Sequence, residues 1–206
     1  MEDMLSVVIQ AGGESRRMGQ DKGLMPFLGR PLVQRILERL SPLADEVLVT
    51  TNHPQDYQFL DIPLIPDLHP GRGALGGLVT ALNAAQQPLV AIVACDMPFA
   101  SPELLSYQSQ ILQEGKLDAV IPQLEGGAEP FHAVYRRATC LPPALHALEA
   151  GRWRANAWYP EVNILFLDQQ QIRSIDPSGL TFLNVNTPGE LEAAEKIAKA
   201  NIQDNR

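Results

Sequence analysis

The chain has 206 residues, a length typical of one globular domain with a substantial core. Hydrophobic residues make up 45% of the chain and charged residues 19%, and the formal net charge is −8. This acidic balance argues against general nucleic-acid binding, which depends on a broad basic surface, but it does not exclude a single nucleotide.

Cysteine usage and apolar runs indicate the compartment. The two cysteines imply no disulfide framework and fit a reducing cytoplasm. Met1 is followed by acidic residues rather than by the basic start of a signal peptide. The longest apolar run, residues 89–95, is too short to span a bilayer. We therefore expect a cytoplasmic protein that binds neither nucleic acid nor membranes.

The first predicted strand, residues 5–9, leads into a glycine turn followed by cations. The residues concerned are Gly12, Gly13, Arg16, Arg17 and Lys22. Glycine allows a ligand to approach the backbone closely, and successive N–H groups in such a turn form a cradle for anions. Arginine grips phosphate as a planar fork, while lysine acts as a point charge. The stretch predicts a polyphosphate site; the alternative is an ordinary turn followed by a solvated basic helix.

The same stretch resembles the signature loop of the sugar-nucleotide-type nucleotidyltransferases. The matching residues are Gln10-Ala11-Gly12-Gly13, Ser15, Arg17-Met18-Gly19 and Asp21-Lys22. It is most similar to the molybdenum cofactor guanylyltransferases, which join the GMP part of GTP to molybdopterin. That resemblance implies nucleotide binding by residues 10–13 and by Lys22, and catalytic roles for Arg17 and Lys22. The family's loop usually begins with leucine, so Gln10 is a departure that a backbone contact would survive.

The next elements are a helix over residues 31–40 and strands over residues 46–51 and 62–65. Alternation of strand and helix predicts a parallel sheet with helical crossovers. Asp67 follows the third strand, where the family also has an aspartate. Its carboxylate suits the N–H donors of guanine, and capping of the loop is an equally open role. Thr50 stands where the family commonly has asparagine, and Asn52 lies two residues on; both are candidate nucleotide contacts.

Residues 71–76 match Gly-x-Gly-x-x-Gly, and Asp96 follows twenty residues after Gly76. A nicotinamide site is one interpretation, but that fingerprint should follow a strand directly and here residues 67–70 intervene. Residues 73–77 are also similar to the family's Gly-Pro-Leu-Ala-Gly segment, which lies near the nucleotide. That resemblance makes Gly76 a candidate nucleotide contact, at the start of a helix that extends to about residue 86.

Asp96 ends the most strand-like run of the chain, residues 89–95, which we expect to be a central parallel strand. Open α/β sheets bind ligands at such strand ends, and triphosphate chemistry needs a divalent metal. A turn or cap role is the alternative. The Asp96-Met97-Pro98 sequence resembles the family's Asp-x-Pro, whose aspartate binds magnesium. We therefore expect Mg²⁺ as the cofactor, Asp96 as its ligand, and Asn186 as a candidate second ligand.

The second half is predicted to alternate less regularly. Its helices are expected over residues 101–115, 141–150 and 191–200, and its strands over residues 118–123, 130–135, 162–167 and 181–188, the last closing the sheet. His132, Trp153, Arg154 and Trp158 are candidate pterin contacts that packing would equally explain.

Residues 184–188 resemble the family's Asn-Val-Asn-Thr-Pro. On a strand, Asn184 and Asn186 would point to the same side, which makes them candidate acceptor contacts. Thr187 and Glu190 have the spacing of a capping box, so Thr187 needs no functional explanation.

Together these patterns predict a single three-layer α/β/α domain over residues 1–206, with a mostly parallel sheet and a Rossmann-like nucleotidyltransferase fold. Residues 1–100 are the expected nucleotide-binding half and residues 101–206 the acceptor-binding half. The expected partners are GTP, molybdopterin and, as a further possibility, molybdoenzyme-assembly proteins. Two alternatives remain open: a related transferase that uses CTP or a sugar or isoprenoid phosphate, and a non-catalytic nucleotide-binding adaptor for molybdoenzyme assembly.

Overall fold

The computed structural model describes residues 4–12 and 21–204, with side chains as far as residue 201. Gly13, Arg16 and Arg17 therefore lie outside the described residues. The strands of the described part are β1 (Leu5–Gln10), β2 (Pro26–Phe27), β3 (Arg30–Pro31), β4 (Glu46–Thr50), β5 (Leu64–Ile65), β6 (Leu89–Ala94), β7 (Ala119–Leu124), β8 (Gly127–Ala128), β9 (His132–Arg136) and β10 (Ile164–Leu167). The α-helices are α1 (Leu32–Leu40), α2 (Gly73–Ala84), α3 (Pro102–Glu114), α4 (Arg137–Glu149), α5 (Gln169–Ile175) and α6 (Pro188–Asp204).

One sheet organises the described chain. Its strand order is β10-β7-β9-β6-β1-β4-β5, with β8 paired to β7, while β2 and β3 form a separate small ribbon. Within that order β9 alone runs against its neighbours, and the remaining pairs are parallel. The mostly parallel three-layer α/β/α fold predicted from the sequence is confirmed.

Side-chain alternation along the strands explains the layers. In β1, Val7 and Ile9 face the cluster that packs on α1, α3, α5 and α6, whereas Val8 faces the cluster that packs on α2 and α4. In β6, Val93 faces the first cluster and Ile92 the second. Successive side chains of a strand point to opposite faces, so a strand that is apolar throughout requires cover on both sides.

The crossovers place a crevice between β1 and β6. From β1 the chain passes along α1 to β4 and β5, then returns along α2 to β6 on the other side of β1. The strand order therefore reverses at β1, and α1 and α2 lie on opposite faces. Open α/β sheets bind ligands outside the carboxyl ends of the strands at such a reversal.

Two sequence predictions need correction, and one helix was not predicted. Residues 181–188 form no strand; Val185 is buried in the core, and its N–H donates to the Asp96 carbonyl at 2.9 Å instead of joining a ladder. The strand β6 is parallel to β1 but antiparallel to β9. Helix α5 was not predicted; it begins with a capping box in which Asp168 and Gln171 exchange hydrogen bonds.

The boundaries of other elements differ slightly. Pro31 is the N-cap of α1 rather than its first helical residue, and the third predicted strand is reduced to β5. The capping box of α6 is confirmed: Thr187 Oγ1 accepts the Glu190 N–H, and the Glu190 carboxylate accepts the Thr187 N–H. No helix within the described residues combines the length and apolarity that crossing a bilayer would need.

Candidate functional site

A cleft of about 680 Å³ lies at the carboxyl ends of β1, β4, β5 and β6. Its size falls in the usual range for small-molecule sites. The register brings Gln10 of β1 level with Thr50 of β4 and Ala94 of β6. The lining residues are Gln10, Ala11, Gly12, Asp21, Lys22, Thr50, Thr51, Asn52, Asp67, Pro70, Gly71, Gly73, Ala74, Gly77, Thr80, Ala94, Cys95, Asp96 and Phe131.

Lys22 and Asp96 meet inside this cleft, although they are distant in the sequence. Lys22 Nζ lies 3.3 Å from Asp96 Oδ2 and donates to Asn186 Oδ1 at 2.6 Å. The two side chains of the ion pair are 24% and 22% exposed, so both can reach a bound ligand. A cation, a carboxylate and an amide oxygen therefore face one space, which is the arrangement expected around a metal-bound polyphosphate.

The end of β1 is tied to its neighbours by the backbone. The Ala11 N–H donates to the Thr50 carbonyl at 2.8 Å, and Asn52 Nδ2 donates to the Gly12 carbonyl at 3.0 Å. Thr50 is buried, and all four residues line the cleft. The segment after β1 is thus held against the segment after β4 before any ligand arrives.

Asp67 caps its loop and also lines the cleft. Its Oδ1 accepts the His69 N–H at 2.9 Å and the Thr80 hydroxyl at 2.8 Å. Thr80 lies on α2 and is buried, so the loop after β5 is fastened to that helix. The capping role is therefore visible in the structure, and the position at the cleft leaves the carboxylate available for a base contact.

The structure places Gly77, not Gly76, at the cleft. Gly76 is buried, and a Cβ there would come within 3.0 Å of the His69 carbonyl oxygen and of Arg72 Cβ. Glycine at that position is explained by the close approach of the 69–72 loop. Gly77 instead faces the Gln10 carboxamide, 3.2 Å from where its Cβ would be. The segment indicated by sequence similarity lies at the cleft, which Gly77 lines and Gly76 does not; the nucleotide contact of Gly76 stays a prediction.

Asn184 and Asn186 are both exposed, but only Asn186 has a described contact with the cleft residues. The Val185 N–H bond to the Asp96 carbonyl holds this segment beside the end of β6. The expected pairing of the two asparagines on one strand face is absent from the described structure, because residues 181–188 do not form a strand.

The candidate pterin contacts separate into core and surface residues. His132 is buried, and its Nε2 accepts the Ser101 N–H at 3.0 Å. Burial lowers the pKa of His132 to about 4, so the ring is neutral at physiological pH. Trp158 is fully buried. Trp153 is 44% exposed, and the Arg72 guanidinium lies 5.1 Å from its ring centroid.

Charge accumulates around Asp96. Burial raises the pKa of Glu129, and the Asp96 carboxylate raises it further. Burial likewise raises the pKa of the Cys95 thiol, and Asp96 adds to that effect. A thiol with a raised pKa is a poor nucleophile. We therefore assign Cys95 a structural role in lining the cleft. Burial is the main cause of both shifts, and the Asp96 charge that adds to them favours a bound cation.

The donor set fits magnesium. Asp96 and Asn186 offer oxygen ligands, which Mg²⁺ prefers, and usually only one or two carboxylates bind it beside substrate phosphates and water. No cluster of three or more His, Cys, Asp or Glu residues able to hold a metal occurs among the described residues. A site completed by substrate phosphates agrees with both observations.

Several cleft residues were missed by the sequence analysis. Thr51, Thr80 and Gly77 come from elements whose apolar pattern was recognised, but nothing in that pattern marks which polar residue faces a ligand. Phe131 precedes the antiparallel strand β9, whose direction was not predicted. Asp21 belongs to the motif compared above and could have been found from it.

Comparison with known proteins places this geometry in a family. Residues 7–162 match the model of the MobA-like NTP transferase domain. The chain belongs to the MobA-like NTP transferase family. It is 34% identical to a probable molybdenum cofactor guanylyltransferase of Natranaerobius thermophilus, over 95% of this chain and 97% of that protein. It is 33% identical to a molybdenum cofactor guanylyltransferase of Desulfosudis oleivorans, over 96% and 98%.

A solved structure has a similar fold. The crystal structure of molybdopterin-guanine dinucleotide biosynthesis protein A from Archaeoglobus fulgidus superposes with a TM-score of 0.81 at 27% identity, covering 95% of this chain and 99% of that one.

The structure also bears on the nicotinamide interpretation of residues 71–76. Residues 66–72 separate β5 from α2, so the Gly-x-Gly-x-x-Gly match does not follow a strand directly as a nicotinamide fingerprint would.

Proposed function

We propose that the protein transfers GMP from GTP to the phosphate of molybdopterin and releases pyrophosphate, with Mg²⁺ as cofactor. The observation that carries the proposal is the meeting of Lys22 and Asp96 in a nucleotide-sized cleft at the strand-order reversal. Family membership and the names of the relatives support the choice of GTP and molybdopterin.

The reaction needs positioning and charge neutralisation more than covalent help. An oxygen of the acceptor phosphate attacks the α-phosphorus of GTP, the bond to the β-phosphate breaks, and pyrophosphate leaves. Lys22 offers its ammonium to the phosphate oxygens, and the segment from Ala11 to Gly12 holds the nucleotide against the sheet edge. Arg17, which lies outside the described residues, is proposed to offset charge on the α-phosphoryl group.

Asp96 and Asn186 would hold magnesium, because their oxygens converge beside Lys22. Bound Mg²⁺ supplies charge neutralisation for the triphosphate. With Asp96 holding magnesium, the Lys22 ammonium would be available to the phosphates. The ion pair between Lys22 and Asp96 shows that both groups face the same cleft.

The two halves of the chain are proposed to bind different substrates. Residues 1–100 are proposed to bind the nucleotide, because they supply nearly all of the cleft lining. Residues 101–206 are proposed to bind the acceptor, with Asn184 and Asn186 as contacts. From this second half, Phe131 lines the nucleotide cleft, while Asn186 and Val185 form hydrogen bonds with the cleft residues Lys22 and Asp96.

Asp67 is proposed to read guanine, and Asp67→Asn tests this without dismantling the loop. The asparagine oxygen can still accept the His69 N–H and the Thr80 hydroxyl, so the variant removes charge and leaves the cap. We expect the preference for GTP over ATP to fall about tenfold or more, because guanine loses a charged acceptor. The measurement is kcat/KM for both nucleotides.

The control for that variant is Asp168→Asn, since Asp168 also accepts a backbone N–H through Oδ1, as the cap of α5, but lies outside the cleft lining. It should leave the preference unchanged. If Asp67→Asn also leaves the preference for GTP over ATP unchanged, Asp67 only caps its loop and another group selects the base.

Pyrophosphate release tests the function as a whole. The purified protein is incubated with magnesium, molybdopterin and each of GTP, ATP, CTP and UTP in turn. We expect release only when GTP, molybdopterin and magnesium are all present. Preference for CTP, or transfer to a sugar or isoprenoid phosphate, would indicate a related nucleotidyltransferase. Tight GTP binding without transfer to any acceptor would indicate the adaptor role. A cytoplasmic location is part of the same proposal.

A further inference from the structure

Lys22 is carried by a short 3₁₀ turn, Lys22–Leu24, that begins at Asp21. Asp21 Oδ1 accepts the Gly23 N–H at 3.0 Å, which closes the start of the turn. The Leu24 and Met25 N–H groups donate to the Asp21 and Lys22 carbonyls at 3.1 Å. The direction in which Lys22 leaves the backbone therefore depends on where Asp21 is held.

Asp21 is held from a distant part of the chain. The Tyr57 hydroxyl donates to the same Asp21 Oδ1 at 2.6 Å. Tyr57 comes from the 3₁₀ segment Pro54–Leu60, and its ring is fully buried in the larger core cluster. A buried aromatic ring has few alternative positions, so the hydroxyl is a fixed point against which the Lys22 turn is set.

Gly23 shows how closely the two parts fit. A Cβ on Gly23 would lie 2.6 Å from the Tyr57 hydroxyl oxygen and 3.3 Å from its ring carbon. A side chain at residue 23 would push the hydroxyl away from Asp21 or lift the turn. Burial, followed by the hydrogen bond to Asp21, raises the pKa of Tyr57, so the hydroxyl keeps its proton and remains a donor.

We propose that Tyr57 is a positioning residue for Lys22, acting through Asp21. The hydroxyl donates to Asp21, and Tyr57 does not line the cleft, so its contribution is the placement of the lysine ammonium beside Asp96 and Asn186. The activity readout of this inference rests on the proposed nucleotidyl transfer, whereas the placement of Lys22 can be measured without it.

The placement is measured by chemical labelling of lysine. Full-length wild type and Tyr57→Phe are treated with a low concentration of acetic anhydride, and mass spectrometry gives the acetylation rate of Lys22 relative to the exposed Lys116. We expect Lys22 to react about threefold faster or more in Tyr57→Phe, because the turn opens more often once its anchor is lost. An unchanged relative rate would overturn the inference.

The matched control is Tyr135→Phe. The Tyr135 hydroxyl is also buried and donates to the Pro130 carbonyl at 2.7 Å, but its ring belongs to the cluster on the other face of the sheet. Tyr135→Phe should lose about as much stability as Tyr57→Phe, with no change in the acetylation rate of Lys22. Asp21→Asn keeps an oxygen acceptor, so it should label more like wild type than Asp21→Ala does. Equal labelling of Lys22 in both tyrosine variants would reduce Tyr57 to a general packing residue.

Activity gives the second readout. Tyr57→Phe should lower kcat/KM for GTP about tenfold, chiefly by raising KM. In a Lys22→Met background, Tyr57→Phe should lower kcat/KM for GTP by less than about twofold, because the ammonium that Tyr57 positions is absent. A loss of equal size in both backgrounds would contradict action through Lys22. If wild type transfers nothing, the proposed reaction fails while the labelling result still decides the role of Tyr57.

Discussion

The two halves of the main sheet present their ends to the cleft differently. In β6-β1-β4-β5 every strand is parallel, so each delivers the residues that follow it: Gly12, Asn52, Asp67 and Asp96. On the other side of β6 the strand β9 runs in the opposite direction, so the residue that precedes it, Phe131, lies at the cleft. The end of β9 leads away, into α4.

This difference explains why the cleft is lined mostly by residues of the first half of the chain. Polar residues after parallel strands converge on one sheet edge, where their backbone and side-chain groups can share a ligand. Reversal of one strand turns the following polar residues toward the opposite edge. The second half reaches the cleft by another route: residues 184–186 form no strand, and they are held there by the Val185 N–H bond to the Asp96 carbonyl and by the Lys22 bond to Asn186.

The largest expected effect comes from Asp96→Ala. Its carboxylate is the proposed metal ligand, whereas its carbonyl bond to Val185 is a backbone contact that alanine retains. We expect turnover to fall about 100-fold or more, with the fold preserved in circular dichroism. The comparison in the second half is Asp118→Ala, whose carboxylate accepts the Asn163 N–H at 2.8 Å. That variant should lose stability and keep turnover. Near-normal turnover of Asp96→Ala at saturating magnesium would refute the role of Asp96.

The next effect concerns His132, the first residue of β9. Its folded pKa of about 4 lies below the ordinary value of 6.5, so the unfolded chain binds more protons between these values. The stability of the fold should therefore fall as the pH is lowered through this window, by about 3 kcal/mol from this residue. His132→Gln keeps an acceptor for the Ser101 N–H but cannot titrate. Urea unfolding at pH 7.5 and 4.5 should show a smaller loss for the variant; identical pH dependence would contradict the neutral, buried histidine.

Asn186 and Asn184 provide a comparison within one segment. Both side chains are exposed. Asn186 Oδ1 accepts a hydrogen bond from the Lys22 ammonium, whereas Asn184 is proposed to contact only the acceptor. Asn186→Ala should weaken binding of magnesium-GTP about tenfold, because a charge-assisted bond near the phosphates is lost. Asn184→Ala should leave it unchanged in titration calorimetry. Equal losses in the two variants would mean that the contact with Lys22 has no special importance.

The smallest effect distinguishes two glutamine amides, that of Gln10 at the cleft and that of Gln108 in the core. Gln10 Nε2 is buried and has no hydrogen-bond partner in the described structure, whereas Gln108 Nε2 donates to the Val120 and His132 carbonyls at 3.2 Å. Gln10→Leu should raise the free energy of unfolding by about 1 kcal/mol, because a buried donor without a partner is removed. Gln108→Leu should lower it by about 1–3 kcal/mol. Urea unfolding compares them, and destabilisation by Gln10→Leu would reveal a partner for its amide.

Local patterns in the sequence were sufficient to predict much of the first half. Apolar runs and crossovers predicted β1, α1, β4, α2 and β6. Asp96 was a candidate because its place follows from the end of a strand. The meeting of Lys22 with Asp96 was expected, and the structure brings them within 3.3 Å. In these cases each residue's position follows from the element that carries it.

The remaining features depend on contacts between distant segments. Tyr57 reaches Asp21 across 36 residues, and no periodicity of either segment indicates that bond. Residues 181–188 were predicted to form a strand, yet the apolar side chains of this segment pack on the core without a ladder. Gly77 rather than Gly76 faces the cleft, which reflects the rotation of α2 against the sheet. Strand direction, helix rotation and long-range hydrogen bonds are tertiary properties that a single sequence does not display.

The most direct test of the central claim is the effect of magnesium on GTP affinity in wild type and in Asp96→Asn. If Lys22 and Asp96 flank one metal-bound triphosphate, magnesium should tighten GTP binding to wild type about tenfold or more, and Asp96→Asn should lose most of that gain. An equal gain from magnesium in both proteins would contradict the account.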